Sequence, residues 1–175
     1  MDKHPVLESD RLYFRPIVDA DIDHIYRGLS DPEVIKYYGV NFMTREATKE
    51  QMIWYADLEK NETGIWWAIC LKSDDRFLGA AGLNDLSRQH KKAELGFWLL
   101  PENWGKGIMS ESIPVLLAYC FAKLELHRIE AFVDSENHNS KNLLEKLHFN
   151  YEGTMVDCEI KNGAYISLDN YATFN

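Results

Sequence analysis

The sequence has few cysteines, no long apolar run and no excess of basic residues, and each absence excludes a class of protein. Its three cysteines, Cys70, Cys120 and Cys158, are odd in number and lie in apolar stretches, which favours reduced core thiols over a disulfide framework. No apolar run approaches the ~20 residues of a membrane-spanning helix. The first residues, MDKHPVLESDR, lack the features of a signal peptide, so we expect a cytoplasmic protein with no membrane partner.

The charge balance argues against a nucleic-acid partner. The formal net charge is −9, whereas nucleic-acid-binding proteins present a basic face. Acidic side chains lining a cleft would suit a cationic partner such as an amine, although solvated surface acids would give the same composition. The six histidines show no HExxH or other ligand spacing, and we therefore expect no metal site.

The hydrophobic pattern predicts alternating strands and helices in one continuous unit. A chain of 175 residues is long enough for one domain with a substantial core, so we expect residues 1–175 to form a single domain. We expect strands at 11–16, 64–72, 76–85, 92–101, 127–134, 151–160 and 164–174. We expect helices at 19–30, from Pro32 with Asp31 as N-cap, at 44–60, after Gly107, and at 139–148. The strands at 92–101 and 127–134 should run parallel, because a helical crossover joins them.

The segment PENWGKGIMSES places two glycines, Gly105 and Gly107, around Lys106 just before an amphipathic helix. Glycine allows close backbone approach, and the start of a helix presents unpaired N–H groups, so this pattern indicates a phosphate seat or a tight turn without ligand. Neither the P-loop pattern GxxxxGK(S/T) nor the dinucleotide pattern GxGxxG fits this stretch. Pro114 lies inside the expected helix, so either its regular part begins nearer Ser110 or its first turn is irregular.

The segment WGKGIM resembles the Q/R-x-x-G-x-G/A acetyl-CoA loop of the GNAT N-acetyltransferases, in the form found in the RimJ/RimL type. That type comprises the ribosomal-protein N-terminal acetyltransferases and their relatives. LESDRLYFRP, SDPEVIKYYG, AELGFWL and ENHNSKNLLEKLHFNYEG resemble further segments of the same branch in the same order. Met109 replaces the usual Gly or Ala, and His148 stands where the family usually has Gly, which leaves the turn at that position open.

The resemblance implies an α/β (α+β) architecture, the GNAT acyltransferase fold. In this fold a mixed, mostly antiparallel twisted sheet of about seven strands is flanked by helices. A V-shaped splay is expected between the fourth and fifth predicted strands, at 92–101 and 127–134. The cosubstrate implied is acetyl-CoA, with its pantetheine arm in the splay and its pyrophosphate on the glycine loop.

The resemblance also implies which residues hold the cosubstrate. Backbone groups of the strand would contact the arm, loop N–H groups would contact the pyrophosphate, and Asn137 would bind the pantetheine amides. The cofactor-binding residues implied are Trp98, Leu99, Leu100, Trp104, Gly105, Lys106, Gly107, Ile108, Met109, Ser110 and Asn137.

Three residues match family positions that are associated with catalysis. Glu159 stands where the branch places a proposed general base, and Glu94 lies on the strand before the loop; we favour Glu159, with Glu94 as the alternative or as a partner through a water. Either carboxylate could instead be a solvated or ion-paired strand residue. Ser140 is the candidate acid for the leaving thiolate, with helix capping as its rival role.

The function implied is acetyl transfer from acetyl-CoA to a primary amine. The N-terminal α-amine of a ribosomal or other protein is the first expectation for the acceptor. A polyamine, an aminoglycoside or another small amine is the alternative, as is a non-catalytic acyl-CoA-binding protein on the same fold. A homodimer is left open.

Overall fold

The computed structural model describes residues 5–175, so the first four residues of the amino-terminal segment lie outside this range. The strands are β1 Leu7–Glu8, β2 Leu12–Pro16, β3 Ile65–Leu71, β4 Phe77–Ser87, β5 Lys92–Leu99, β6 Arg128–Asp134, β7 Asn150–Lys161 and β8 Ala164–Phe174. The helices are α1 Ile22–Leu29, α2 Pro32–Ile35, α3 Lys49–Lys60, α4 Ile108–Ala122 and α5 His138–Lys146. None of these helices has the length and apolarity needed to cross a bilayer.

All eight strands belong to one sheet, in the order β1-β2-β3-β4-β5-β6-β8-β7. Every neighbouring pair is antiparallel except β5 and β6, which are parallel and joined by α4. These two strands pair only over Lys92–Glu94 and Arg128–Glu130, after which β5 stays with β4 and β6 stays with β8. The expected fold and its splay are therefore confirmed. The sheet has one strand more than the seven expected. The additional strand is β1, whose two residues are too few for a sequence pattern to reveal.

Two hydrophobic cores cover the two faces of the sheet, because successive side chains of a strand point to opposite faces. One core contains Trp67, Leu95 and Leu99 and continues into α4 through Ile113 and Leu116. The other core packs the remaining strand face against the first three helices, and it includes Trp66, Trp98, Leu100, Ile25, Leu29 and Tyr55. Trp98 on β5 thus lies behind the splay, buried against the helices.

The helix predicted from Thr44 begins at Lys49 instead. Thr44 acts as a cap, but of a separate turn: its hydroxyl oxygen accepts a hydrogen bond from the Ala47 N–H at 3.0 Å. The Thr48 hydroxyl then donates to the Thr44 carbonyl at 3.0 Å. Thr44 is therefore a cap residue as its sequence position suggests, but it caps the turn that precedes α3.

Helix α4 starts where the sequence predicts, directly after Gly107, but the expected effect of Pro114 on that start is wrong. The helix begins at Ile108, directly after Gly107, and the Glu111 N–H donates to the Gly107 carbonyl at 3.1 Å. Its first turn is therefore regular, and Pro114 is accommodated inside the helix.

His148 and Cys158 resolve two further points. His148 adopts a φ of 64°, the left-handed conformation that glycine favours, and its N–H donates to the Glu145 carbonyl at 3.0 Å. The turn after α5 is thus kept without glycine. Cys70 and Cys120 are buried free thiols as expected, whereas Cys158 is exposed, since β7 is an edge strand with little cover.

Candidate active site

Two cavities meet where β5 and β6 separate. The first, which we call the loop cavity, has a volume of about 680 Å³ and is bounded by the glycine loop and the start of α5. The second, the acidic cavity, has about 810 Å³ and lies between the α2–α3 segment, the splayed strands and the β7–β8 hairpin. Both are lined by Tyr37, Tyr38, Phe97, Asn137 and Ser140, so the two cavities adjoin at these residues.

The glycine loop has the geometry of an anion seat. Gly105 and Gly107 have φ angles of 69° and 73°, which L side chains rarely adopt. A Cβ atom built at Gly105 would meet no atom within 4 Å, so the backbone conformation, rather than crowding, requires glycine here. The first N–H groups of α4 have no partner within the helix, and they are available to an anion above the loop.

Arg11 holds this loop from the side of β2, a role that the sequence analysis missed. One guanidinium nitrogen, Nη2, donates to the Lys106 carbonyl at 3.1 Å, and Nε pairs with the Glu111 carboxylate at 2.7 Å. Burial opposes ionisation of Glu111, but hydrogen bonds from Ser9 and Arg11 outweigh it and lower the pKa of that carboxyl. The only available signal was the position of Arg11 in the RLYFRP segment.

The register of β4 and β5 decides which backbone groups face the splay. The Leu100 N–H donates to the Leu78 carbonyl at 2.9 Å, and hydrogen-bonded and non-hydrogen-bonded pairs alternate along an antiparallel ladder. The backbone groups of Phe97 and Leu99 therefore point away from β4 and into the splay. Those of Trp98 and Leu100 point towards β4.

The structure brings most of the predicted cofactor-binding residues together. The loop cavity is lined by Trp98, Leu99, Trp104, Gly105, Gly107, Ile108, Met109, Ser110 and Asn137. Leu100 is buried in the core and Lys106 is exposed, and neither lines either cavity. Trp104 also fixes the strand end, because its indole N–H donates to the Leu99 carbonyl at 3.0 Å. Phe97 is an addition that the sequence analysis did not name.

Asn137, not Ser140, caps helix α5. The Asn137 side-chain oxygen accepts a hydrogen bond from the Ser140 N–H at 3.2 Å. The Ser140 hydroxyl makes no hydrogen bond with any residue between 5 and 175, and it lines both cavities. The capping alternative for Ser140 is therefore wrong, and its hydroxyl is free to act on a ligand.

Glu94 is the most perturbed carboxyl of the site. Burial, followed by the nearby charges of Asp85, Glu130 and Glu159, raises the pKa of Glu94 to about 7. It lies on β5 at the last pair before the splay and lines the acidic cavity. No ion pair or hydrogen bond within residues 5–175 involves its carboxylate.

Glu130 lies next to Glu94, but the pKa of its carboxyl is lowered rather than raised. Glu130 is the partner of Glu94 in the parallel register, yet Lys92 and Arg128 bind it at 3.1 and 2.8 Å. Burial opposes its ionisation, but hydrogen bonds from Arg128 and Lys92 lower the pKa of Glu130. Two cations therefore keep Glu130 ionised, whereas Glu94 has none and can exchange a proton near neutral pH.

Four acids and many aromatic rings line the acidic cavity. The acids are Glu50, Glu94, Asp134 and Glu159, and the Glu159 side chain is exposed. Lys161 is the one cation among the lining residues. No group of three or more His, Cys, Asp or Glu side chains in the described part of the chain is arranged to hold a metal ion.

Comparison with known proteins gives one consistent result. The uncharacterized N-acetyltransferase YoaA of Bacillus subtilis (strain 168) is 34% identical over 169 residues, which cover 96% of each chain. Two solved structures share the fold. The ribosomal L7/L12 α-N-protein acetyltransferase RimL in complex with coenzyme A has a TM-score of 0.87 at 21% identity and covers 97% of this chain and 98% of its own. The spermidine N-acetyltransferase of Vibrio cholerae in complex with CoA and spermine has a TM-score of 0.85 at 22% identity, covering 95% and 96%.

The likeness to YoaA confirms the N-acetyltransferase class, and both solved structures have the fold expected of the RimJ/RimL type. The model of the acetyltransferase (GNAT) domain matches residues 11–150, a range that contains the glycine loop, the splayed strands and the start of α5. On that match this chain belongs to the GNAT acetyltransferase family.

Proposed function

We propose that the protein transfers the acetyl group of acetyl-CoA to a primary amine at the junction of its two cavities. The cosubstrate lies in the loop cavity and the amine in the acidic cavity. The observation that carries this proposal is the position of an uncompensated carboxyl of raised pKa, Glu94, in a cavity that adjoins the glycine loop. The coenzyme A bound by RimL and by the Vibrio cholerae enzyme supports the choice of cosubstrate.

The residues of the loop cavity fit acetyl-CoA. The loop N–H groups between Gly105 and Ser110 bind the pyrophosphate. The backbone groups of Phe97 and the N–H of Leu99, whose carbonyl already accepts from Trp104, pair with the pantetheine amides. The Asn137 side-chain oxygen caps α5, so its amide N–H₂ is the part left for the arm. The cosubstrate supplies an activated thioester, whose acetyl group reaches the Ser140 hydroxyl at the junction.

We propose Glu94 as the general base, in preference to Glu159. An amine arrives protonated at neutral pH and must lose a proton before it attacks, and an acceptor with a pKa near the working pH does this best. Glu94 has that property, whereas Glu159 is exposed and serves to attract the cationic amine. The Ser140 hydroxyl, free of helix capping, donates a proton to the leaving thiolate and regains one from the amine nitrogen as the amide forms.

For the acceptor we propose a small amine that carries a second positive charge, such as a polyamine. Four carboxylates line the cavity, and aromatic rings such as Tyr37, Trp54 and Trp66 offer faces to a cation or an alkyl chain. The spermine-bound Vibrio cholerae structure supports this choice. A protein N-terminal α-amine is the second candidate, supported by the likeness to RimL.

A panel of acceptors tests both candidates. Purified protein and acetyl-CoA are incubated with spermidine, a diamine, a neutral monoamine, an aminoglycoside and peptides with free N-termini, and thiol release is followed. We expect the polyamine to give the highest kcat/KM, with a marked fall at high salt. Acetylation of the peptides alone would select the second candidate. Coenzyme A binding without turnover of any amine would indicate a non-catalytic acyl-CoA-binding protein.

The other expectations from the sequence stay predictions. They are a single domain over residues 1–175, a cytoplasmic location, and the absence of nucleic-acid, membrane and metal partners. The sequence left a homodimer open. Size-exclusion chromatography with light scattering of the full chain measures its oligomeric state directly.

A further inference from the structure

Lys161, the last residue of β7, binds three backbone carbonyls of a distant segment. Its ammonium donates to the carbonyls of Ile35, Lys36 and Tyr38, each at 2.8 Å. An ammonium has three donors, so these bonds use all of them. The carbonyls lie at the carboxyl end of α2, where a positive charge is favourable.

These bonds connect opposite walls of the acidic cavity. The β7–β8 hairpin contributes Glu159, Ile160, Ile166 and Leu168 to one wall. The segment 37–42 contributes the other wall, and its Tyr37 and Tyr38 reach the junction with the loop cavity. Between these two segments, as far as residues 5–175 are concerned, no hydrogen bond or ion pair other than those of Lys161 is present.

The saturation of Lys161 also affects the charge of the cavity. A lysine beside Glu159 and Asp134 would ordinarily donate to one of them and neutralise it. Here all three N–H groups of the ammonium bind carbonyls, so none remains for the acids that line the amine-binding cavity. Lys161 is therefore placed to join the walls without forming an ion pair with Glu159 or Asp134.

We propose that Lys161 is a positioning residue for the acceptor: it fastens the segment 35–38 to the β7–β8 hairpin and so sets the width of the acidic cavity. The proposal rests on the proposed function only for the identity of the ligand that enters the cavity. Lys161 touches neither reacting atom. It acts through Tyr38 and its neighbours, whose backbone it holds.

Two substitutions separate the geometry of Lys161 from its charge. Lys161→Met removes both the bonds and the charge, whereas Lys161→Arg keeps the charge but replaces a point donor by a planar fork that does not match three converging carbonyls. Lys60→Met is the control, since Lys60 is an exposed lysine at the end of α3 with no ion pair or hydrogen bond in the described residues. Steady-state kinetics with the acceptor found in the panel, and coenzyme A titration by calorimetry, are measured for all four proteins.

We expect both Lys161 variants to raise the KM of the acceptor about tenfold, the lower end of the effect of losing hydrogen bonds to a charged group. The dissociation constant of coenzyme A should stay within twofold, and Lys60→Met should resemble the unmodified protein. Amide hydrogen exchange should accelerate in residues 35–42 of both variants. Hydrogen exchange needs no turnover, so it tests whether Lys161 holds this segment even if the protein acetylates no amine.

Three results would overturn the proposal. Unchanged exchange in residues 35–42 would show that the bonds do not hold this wall. If Lys161→Arg behaves like the unmodified protein and Lys161→Met lowers the acceptor KM, Lys161 acts only by its charge. A fall in the melting temperature with unchanged KM, assayed well below that temperature, would assign Lys161 a purely structural role.

Discussion

Replacing Glu94 by Gln should abolish most of the activity and yet stabilise the protein at neutral and alkaline pH. The substitution keeps the shape of the side chain and removes its charge. Burial raises the pKa of Glu94 from 4.5 to about 7, so the folded chain binds a proton there more tightly than the unfolded chain does. The stability associated with this proton is present below pH 4.5 and is lost as the pH rises through about 7.

The size of the effect follows from the two pKa values. Each pKa unit corresponds to ~1.36 kcal/mol, which gives about 3 kcal/mol for Glu94 above pH 7. Its side chain is only half-buried, and solvent screening reduces this to about 1–2 kcal/mol. For a chain of this length that amounts to a rise in melting temperature of roughly 2–8 °C for Glu94→Gln.

Thermal unfolding at pH 4.5 and pH 8 provides the measurement, together with the rate of acetyl transfer at pH 8. We expect Glu94→Gln to melt higher than the unmodified protein at pH 8 and at nearly the same temperature at pH 4.5. Glu159→Gln is the matched control from the same cavity. Its side chain is exposed, and its charge is the smallest of the causes that raise the pKa of Glu94, so the melting temperature should change much less. If Glu94→Gln is fully active at pH 8, Glu94 is not the general base. If Glu94→Gln melts lower than the unmodified protein at pH 8, burial of the ionised Glu94 carboxylate does not destabilise the fold.

Three other substitutions test single features. Gly107→Ala should weaken coenzyme A binding and cost ~1 kcal/mol of stability. Gly163→Ala is the control: its φ of 78° is close to the 73° of Gly107, so it should cost similar stability without affecting binding. Equal effects of the two substitutions on binding, measured by calorimetry, would contradict the loop assignment. Ser140→Ala should lower kcat while the dissociation constant of coenzyme A stays the same, because proton donation to the thiolate belongs to the transition state; an unchanged kcat would remove Ser140 from the mechanism. His148→Gly should stabilise the protein by about 0.5–1 kcal/mol in denaturant unfolding, since glycine relieves the φ of 64°; a loss of stability would mean that the imidazole makes a compensating contact.

Local patterns in the sequence predicted the central strands, and the resemblance to the GNAT family predicted how they are arranged. The strands at 64–72, 76–85 and 127–134 begin and end within two residues of β3, β4 and β6. Helix starts were less predictable, since a cap residue marks a turn as readily as a helix. Thr44 illustrates this: the side-chain bond of a cap forms there, five residues before α3 begins.

The site was predictable only where its residues are contiguous in sequence. The glycine loop is one short segment, and its two glycines have the positive φ angles that glycine adopts readily. Arg11 and Lys161 escaped prediction because each binds main-chain carbonyls of a remote segment, a contact that has no side-chain signature. The choice between Glu94 and Glu159 depends on burial and on the cations around each carboxyl, and neither can be inferred from a strand pattern.

The short pairing of β5 with β6 divides the sheet into two panels, β1–β5 and β6–β8, that share three residue pairs. A ligand that pairs with Phe97 and Leu99 occupies the place of a missing strand and carries the hydrogen-bond ladder into the gap. Such a ligand adds hydrogen bonds in the gap between the two panels, which the three β5–β6 residue pairs leave open. Hydrogen exchange of the Phe97 and Leu99 amides can therefore report ligand binding in solution, because a ligand that pairs with them protects them from exchange.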